Sequence, residues 1–429
     1  MSGSRKAVAL VAIANVARAG SLAVSMFVLA RALGPTGRGE VAAALAPMTA
    51  ASAAFAGGLP DAVSHFVARF PTSARKVLVR GLWMALVLGV LAAATVASFA
   101  GLLGGGNDGL AEMIMWVGLA TIPTIGIVVL RAHSSGRRLW RRVSFEAIIA
   151  GSIQIVGLTA LWALGQLHVQ YALIVMVFGA AAGGLVYIGA KSSSDELRDD
   201  EVSYEMLGRY SAGAWLGAIG MVGMTYLDQM LMTPLSSVEQ LGIYALAINI
   251  ASLLSVVTVS IRSVVLVNES AAIDFERLAR HARFSLVLSL VLALATAVTL
   301  PFLVPLIFGD AFAASVVPAL LLLPPLVITA SGSVATAGLM ALGRPWLRSI
   351  SIAIGMVLNV VLVVLLVPPF GAIGAALAML ASAIPPLLSI LFLRRYYGLR
   401  VRDFLIPRPA DVRGLLSMLG GIGRGRGEN

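Results

Sequence analysis

The chain has 429 residues, of which 59% are hydrophobic and only 12% are charged, and its formal net charge is +11. A soluble globular domain is about a quarter charged, so this composition excludes an ordinary soluble enzyme, and the absence of cysteine excludes disulfides, thiol catalysis and cysteine-based metal sites. Apolar runs of about 18 residues or more, long enough to cross a bilayer, recur throughout, which predicts an all-α polytopic membrane protein.

The apolar runs predict about twelve transmembrane helices. The first run is too long for the apolar region of a signal peptide, so we expect it to be retained. An even number of spans places both termini on the same side of the membrane. The predicted spans are 7–33, 41–60, 79–103, 112–131, 144–164, 170–190, 210–233, 241–265, 284–307, 315–342, 349–367 and 372–393.

The stretch between the first two spans, Arg31 to Leu45, predicts a short polar hinge on the outer side. It re-enters the membrane through glycine and other small residues. A weaker copy runs from Pro234 to Ala247, and aligning Gly39 with Gly242 pairs Glu-Val-Ala-Ala-Ala with Ile-Tyr-Ala-Leu-Ala. Such an internal sequence repeat is typical of transporters built from two repeated halves.

The basic residues orient the chain, because cytoplasmic loops of membrane proteins carry an excess of lysine and arginine. With both termini inside, every lysine and arginine except Arg18, Arg31, Arg38 and Arg262 falls in a cytoplasmic segment. The net positive charge therefore needs no nucleic-acid partner. The outer loops are short and leave no extracellular domain that could host an enzyme.

The longest inner loop is polar, mixed in charge and midway along the chain, so we interpret it as a linker between two halves. The residues after the last span are basic and then rich in proline and glycine, which favours disorder past residue 407. The predicted parts are an N-terminal six-helix lobe at 1–190, a cytoplasmic linker at 191–209, a C-terminal six-helix lobe at 210–393 and a basic cytoplasmic tail at 394–429, partly disordered.

Arg18 lies near the middle of the first span, where an arginine costs about 2.5–3.5 kcal/mol on insertion scales. It therefore needs a water-filled cavity or a partner, unless its side chain snorkels to the cytoplasmic surface. Asn15, Leu22 and Ser25 share its helical face, and that face is mostly polar and small. We predict that Asn15, Arg18 and Ser25 line a substrate-binding cavity.

Arg262 comes early in the second half, with Ser255 two turns away on the same face of the eighth span. Snorkelling is easier at this position, near the inner end of the span. Its place in the second half nevertheless matches that of Arg18 in the first. We therefore add Arg262 and Ser255 to the predicted cavity residues.

Asp61, His65 and Arg69 follow one another at intervals of four residues after Pro60. This spacing puts a carboxylate, an imidazole and a guanidinium on one helix face, where they could bind an anion or relay a proton. The alternative is a network of neighbouring charges that caps the helix at the membrane boundary.

Asp228 and Gln229 lie in the outer part of the seventh span. An acid at that depth is a candidate ligand for a coupling ion, and the alternative is an acid at the membrane interface. No His, Asp or Glu cluster has metal-ligand spacing. The glycines at 104–109 follow no strand and precede no lysine, so they form no phosphate-binding loop. We expect no catalytic residue, no metal site and no cofactor.

Several short motifs occur in order between the predicted spans. Together they resemble the polysaccharide and oligosaccharide flippases of the multidrug/oligosaccharidyl-lipid/polysaccharide (MOP) exporter superfamily. The usual Tyr of the first re-entry motif is Val41 here, whereas Tyr244 keeps it in the second. The motifs are Arg31-Ala-Leu-Gly-Pro-Thr-Gly-Arg-Gly-Glu40, Gly58-Leu-Pro-Asp-Ala-Val-Ser-His65, Phe308-Gly-Asp-Ala-Phe312, Ala341-Leu-Gly-Arg-Pro345 and Phe370-Gly-Ala-Ile-Gly-Ala-Ala376.

The resemblance implies two six-helix lobes around a central cavity, as in MATE-like transporters, and alternating access to the two sides of the membrane. It also implies a lipid-linked oligosaccharide on a polyprenyl diphosphate as the substrate, moved across a bacterial cytoplasmic membrane for surface polysaccharide biosynthesis. Members of this family tend to line the cavity with basic residues, and Arg18 and Arg262 are the positions that fit. The implied partners are the lipid-linked oligosaccharide and membrane lipids, with a glycan polymerase or glycosyltransferases as candidate protein partners.

Two other functions stay open. A cation-coupled multidrug exporter of the same superfamily would need an acidic cavity, whereas the charge within the predicted spans is mainly basic. A membrane-embedded glycan polymerase or ligase would be expected to carry a large outer loop with catalytic groups, and this chain has none. A sugar permease of the major facilitator type would have an acid and a basic cluster between the second and third spans, a pattern that Arg75 and Lys76 do not make.

Overall fold

The structure is a computed structural model that describes residues 2–187, 202–266, 275–341, 345–397 and 402–406, and these residues form helices and turns without any strand. Nine helical stretches in the described residues are long and apolar enough to cross a membrane, so the chain is a multi-pass helical membrane protein. The helices are α1 (Ser2–Ala56), α2 (Leu59–Arg69), α3 (Ala74–Leu103), α4 (Asp108–Gly118), α5 (Thr121–Gly136), α6 (Trp140–Ala163), α7 (Val169–Gly184), α8 (Tyr204–Leu235), α9 (Val238–Leu266), α10 (Phe275–Phe308), α11 (Val316–Leu321), α12 (Leu323–Ala341), α13 (Pro345–Ala378), α14 (Ile384–Tyr397) and α15 (Arg402–Leu405).

The predicted outer hinge is a break at one residue rather than a loop. Gly34 has φ 65° and ψ −175° inside α1, a left-handed conformation that favours glycine. Pro35 follows as the first residue of a new helical segment, a position that needs no N–H donor. The expectation of an outer loop around Arg38 is therefore wrong, because Arg38 is helical and only 7% exposed.

The two predicted re-entry motifs meet each other at Gly39 and Gly242. A Cβ added to Gly39 would overlap the carbonyl oxygen of Val238 and would lie 3.0 Å from the amide nitrogen of Gly242. A Cβ added to Gly242 would overlap the carbonyl oxygen of Pro35 and would lie 2.9 Å from the amide nitrogen of Gly39. The contact is reciprocal, since Pro35 and Val238 each lie four residues before the glycine of their own helix. Only glycine allows two helix backbones to cross this closely.

The chain divides into two compact units, Met1–Leu246 and Ala247–Asn429. The core of the first unit includes a cluster in which Leu59, Val77, Ile125 and Val129 are fully buried. It joins α2, α3 and α5. The predicted linker lies largely outside the described residues, which resume at 202, and α8 then begins at Tyr204 with the Ser203 hydroxyl accepting from the amide of Met206 at 3.2 Å.

In the second unit, α10, α12, α14 and α15 share a core that contains Ala282, Ala335, Leu393 and Phe404. The backbone of α15 is fixed by side chains of this core. The Ser331 hydroxyl donates to the Phe404 carbonyl at 3.0 Å, and Arg283 Nη1 donates to the Asp403 carbonyl at 2.7 Å. The first part of the predicted tail is thus packed, and residues 407–429 lie outside the described part of the chain.

Candidate functional site

Arg18 lies on α1 with its side chain exposed, and no described residue pairs with it. Gly20, two residues further on and on nearly the opposite side of the helix, also faces open space, because a Cβ there would meet nothing within 4 Å. Ser21, one turn further on, is buried and donates to the carbonyl of Gly151 and to Oε1 of Gln154, both at 3.3 Å. Arg18 is therefore exposed one turn before a residue of α1 that is buried against α6.

The predicted polar face of α1 is only partly realised. Ser25 is 5% exposed, and its hydroxyl has no hydrogen-bond partner in the described structure, so it does not share the open environment of Arg18. The side chain of Asn15 lies outside the described residues. Arg262 also belongs to a part of α9 whose side chains are not described, while the Ser255 hydroxyl donates to Ala251 of its own helix at 3.2 Å.

Asp61, His65 and Arg69 lie together on the exposed face of α2, at the spacing seen in the sequence. No hydrogen bond joins the three among the residues that the structure describes. Sequence reasoning missed Tyr210, whose ring stacks on His65 with centroids 5.0 Å apart and planes 21° apart. The face therefore combines a carboxylate, a guanidinium, an imidazole and an exposed phenol where α2 meets α8.

Asp228 is 1% exposed and lies inside α8. Its carboxylate accepts a short hydrogen bond from the Tyr244 hydroxyl of α9 and another from the amide of Gln229 at 2.8 Å. The Gln229 side chain turns back to the carbonyl of Thr225. A buried carboxylate is costly without a positive partner, and within the described structure none pairs with it. Asp228 is thus suited to take a proton or a monovalent cation.

A partly buried ion pair that sequence reasoning missed links α5, α6 and the turn after α7. Arg131 donates to both carboxylate oxygens of Glu146, from Nε at 2.8 Å and from Nη2 at 2.6 Å. The Tyr187 hydroxyl donates to the same carboxylate at 2.9 Å. The available signal was Glu146 itself, an acid inside a predicted span. The guanidinium and the phenol together occupy both carboxylate oxygens, and a bidentate pair of this kind fixes the geometry of its partners, so we interpret the cluster as a structural clamp.

We expect Glu146→Ala to lower the free energy of unfolding by about 1–3 kcal/mol, because a partly buried guanidinium loses its partner. Tyr187→Phe removes one hydrogen bond of three and should cost about 1 kcal/mol. The double change Arg131→Met with Glu146→Leu should recover most of the loss. Melting temperatures of the purified variants in one detergent test this expectation, and equal losses in the single and double variants would contradict it.

A partly open cavity of about 200 Å³ lies within the first unit, between α1, α5, α6 and α7. Its polar lining consists of Thr49, Thr124 and Gln154, and none of its lining residues is ionisable. Gln154 is the same residue that accepts from Ser21. The lining residues are Leu45, Met48, Thr49, Ala120, Pro123, Thr124, Ile127, Gln154, Met176, Val177, Ala180 and Ala181.

Comparison with known proteins gives a family and a fold. Residues 4–267 match a family described as polysaccharide biosynthesis protein, and no curated protein matches the chain. Among solved structures, the chain is similar to the lipid II flippase MurJ in an inward closed conformation, with a TM-score of 0.72 and 15% identity over 97% of this chain and 93% of that one.

Two multidrug transporters have a similar fold. An inward-facing MATE family transporter of the MOP superfamily has a TM-score of 0.69 and 15% identity, covering 90% of this chain and 98% of that one. The MATE multidrug transporter DinF-BH has a TM-score of 0.62 and 18% identity over 94% of this chain and 96% of that one. At these sequence identities the similarity shows a shared fold only. The substrate has to be inferred from the residues of the site.

Proposed function

Since the chain belongs to the polysaccharide biosynthesis protein family of MOP-superfamily flippases, we propose that it moves a lipid-linked oligosaccharide across the membrane by alternating access. The substrate is a saccharide on a polyprenyl diphosphate, carried from the inner to the outer leaflet of a bacterial cytoplasmic membrane for surface polysaccharide biosynthesis. Both termini are cytoplasmic in this proposal, as the distribution of lysine and arginine favours.

The exposed, unpaired Arg18 is the observation on which the substrate class rests. An arginine within a membrane span is retained at a cost only where it binds something or reaches water. Guanidinium groups bind phosphate oxygens through two parallel hydrogen bonds, which suits the diphosphate of a lipid carrier. The prenyl chain of such a substrate can stay in the bilayer while its head group crosses.

The other predicted site residues have subordinate roles in this proposal. Arg262, with Ser255 two turns away on its own helix, is proposed to supply a second anion contact, and Asn15 is proposed to act beside Arg18, whose helical face it shares. The exposed face of Asp61, His65 and Arg69 meets the anionic head group on the cytoplasmic side, where the substrate is made.

Asp228 is proposed as the coupling site, with Gln229 next to it in α8. Binding of a proton or a cation relieves the cost of burying its charge, and the Tyr244 hydroxyl can follow either state by donating to the carboxylate or by accepting from its protonated form. Because Tyr244 belongs to α9, a change at Asp228 reaches the second re-entry motif directly.

Deletion of the gene and reconstitution of the protein test this function. We expect deletion to leave undecaprenyl-linked glycan on the inner leaflet, with loss of a surface polysaccharide and no change in drug sensitivity. The purified protein in vesicles should move a lipid-diphosphate saccharide to the opposite leaflet with its bonds intact.

Two results would contradict the proposal and indicate another function. Hypersensitivity to cationic dyes with a normal surface glycan would indicate a cation-coupled drug exporter. A change in glycan length produced by the purified protein alone would indicate a polymerase or ligase.

A further inference from the structure

The cavity of the first unit has an uncharged lining, and the proposed roles of the other site residues do not involve it. It is about 200 Å³ in volume. No lining residue is ionisable, although the flippase and drug-exporter functions both involve charged ligands. A diphosphate or an organic cation would be held here without a countercharge, which is costly. A ligand that fits this cavity would therefore be neutral.

The polar groups of the cavity also argue against a purely apolar occupant. The Gln154 Nε2 reaches the Met176 carbonyl only at 3.4 Å, and its Oε1 accepts from Ser21 at 3.3 Å, so the amide is weakly bonded on both sides. The Thr49 hydroxyl donates to Leu45 at 2.7 Å and keeps its lone pairs as acceptors. A prenyl chain would leave these groups unsatisfied, whereas a ligand with hydroxyl or amide groups would complete them.

Most of the lining is nevertheless apolar, with Met48, Ile127 and Met176 among its walls. A binding pocket with a few hydrogen-bonding groups on an apolar wall fixes the orientation of a ligand that has both kinds of surface. A pyranose ring is such a ligand, because its hydroxyl groups lie around a face of C–H bonds. A methyl or acetamido substituent adds further apolar contact.

The position of the cavity relative to Arg18 matches the order of groups in a lipid-linked sugar. Gln154 of the cavity is hydrogen-bonded to Ser21 of α1, and Arg18 lies three residues, or about 4.5 Å of helix rise, before Ser21. The sugar nearest the carrier is bonded directly to the diphosphate. A diphosphate at Arg18 would therefore place that sugar within reach of the cavity.

We infer that this cavity is a sugar subsite, which receives the neutral sugar next to the diphosphate and prefers one with an acetamido or deoxy substituent. The inference rests on the proposed flippase function and deepens it. Gln154 and Thr124 donate and accept hydrogen bonds with the sugar, and the methionine and isoleucine side chains cover its C–H face. The diphosphate stays at Arg18, outside the cavity.

Equilibrium binding of two probes to the purified full-length protein tests the inference. The probes are undecaprenyl diphosphate alone and undecaprenyl diphosphate carrying one N-acetylhexosamine. We expect the wild-type protein to bind the sugar-bearing lipid about tenfold more tightly, the difference that one or two hydrogen bonds make. Ala181→Leu, which fills the cavity, and Gln154→Leu, which removes the amide, should each abolish this difference and leave the binding of the sugar-free lipid unchanged.

A matched control separates the effect of filling the cavity from the effect of any alanine-to-leucine substitution. Ala94 is exposed on α3, so Ala94→Leu makes the same substitution away from the cavity and should preserve the tenfold preference. A wild-type protein that binds neither lipid would overturn the flippase function, whereas equal binding of both lipids would overturn only the sugar subsite. An Ala181→Leu variant with a raised melting temperature and an intact preference for the sugar would show a packing void instead of a subsite.

Discussion

Arg18→Ala is expected to reduce export of the lipid-linked saccharide by about a hundredfold while the protein inserts and accumulates normally. A hydrogen bond to a charged group contributes about 1.5–3 kcal/mol, and a bidentate pair with a phosphate approaches the upper end of that range. Each 1.4 kcal/mol corresponds to a factor of ten. Arg18 is exposed and unpaired in the described structure, so its removal leaves no buried partner without a countercharge.

The conservative variant separates charge from geometry. Arg18→Lys keeps the positive charge but loses the planar pair of donors, so export should fall by about tenfold rather than a hundredfold. Arg141→Ala is a matched control, because Arg141 is also exposed but lies in the first turn of α6, in a segment that the distribution of lysine and arginine predicts to be cytoplasmic. Surface polysaccharide is the readout, with protein abundance measured in the same cells.

Two outcomes would give Arg18 a different role. Normal export by Arg18→Ala would mean that the side chain snorkels to the cytoplasmic surface and binds no substrate. A large fall in protein level would mean that Arg18 forms a structural ion pair. The second result would be surprising, since no described residue pairs with Arg18.

Local sequence patterns predicted the helical fold class and some of the local features. The break at Gly34 follows from the Gly-Pro pair, and the exposed face of α2 follows from the four-residue spacing of Asp61, His65 and Arg69. The outer loop expected around Arg38 was wrong because Pro35 starts a helix as readily as it ends one. The polarity of the sequence alone did not show whether a helix ends before Pro35 or a new one starts there.

Contacts between distant segments were beyond the reach of local patterns. Glu146 and Arg131 look like isolated charges in the sequence, and only the packing of α5 on α6 makes them a pair. Tyr210 reaches His65 across a separation of many residues, and no periodicity connects them. Arg18 and Ser25 share a face by helical geometry but differ in burial, because the neighbours of α1 change along its length.

The two re-entry motifs show the same limit in another way. Aligning the motifs paired Gly39 with Gly242 on sequence alone, and the structure places the same two glycines in reciprocal contact. The alignment predicted only that the two positions are equivalent, and the contact between them is a finding of the structure. This contact leads to the second large expected effect.

Gly39→Val is expected to prevent the crossing of α1 and α9 and to reduce export to less than a tenth of the wild-type level. The added Cβ would overlap the backbone carbonyl of Val238, and a backbone atom cannot move aside as a flexible side chain can. Overpacking of this kind costs about 1–3 kcal/mol or more. At about 3 kcal/mol the crossed state would lose more than a hundredfold in population.

Gly242→Val should have the same effect, since the contact is reciprocal and its Cβ would overlap the carbonyl of Pro35. Gly126→Val is the matched control, because a Cβ on that helical glycine of α5 would meet nothing within 4 Å. Normal export by Gly39→Val, with the control also normal, would show that the crossing is not needed for transport.

The accessibility of a nearby cysteine shows whether these variants act by opening the outer side. Ala245 is 3% exposed and lies one turn from the crossing, and the chain has no other cysteine to react. In intact cells an impermeant maleimide should label Ala245→Cys weakly in the wild-type background and strongly when Gly39→Val is added. A transporter that alternates between two open states must close one side to open the other, so a protein held open to the outside cannot accept substrate from the cytoplasm. Weak labelling together with lost export would contradict this mechanism, because the valine would then be blocking transport without opening the crossing.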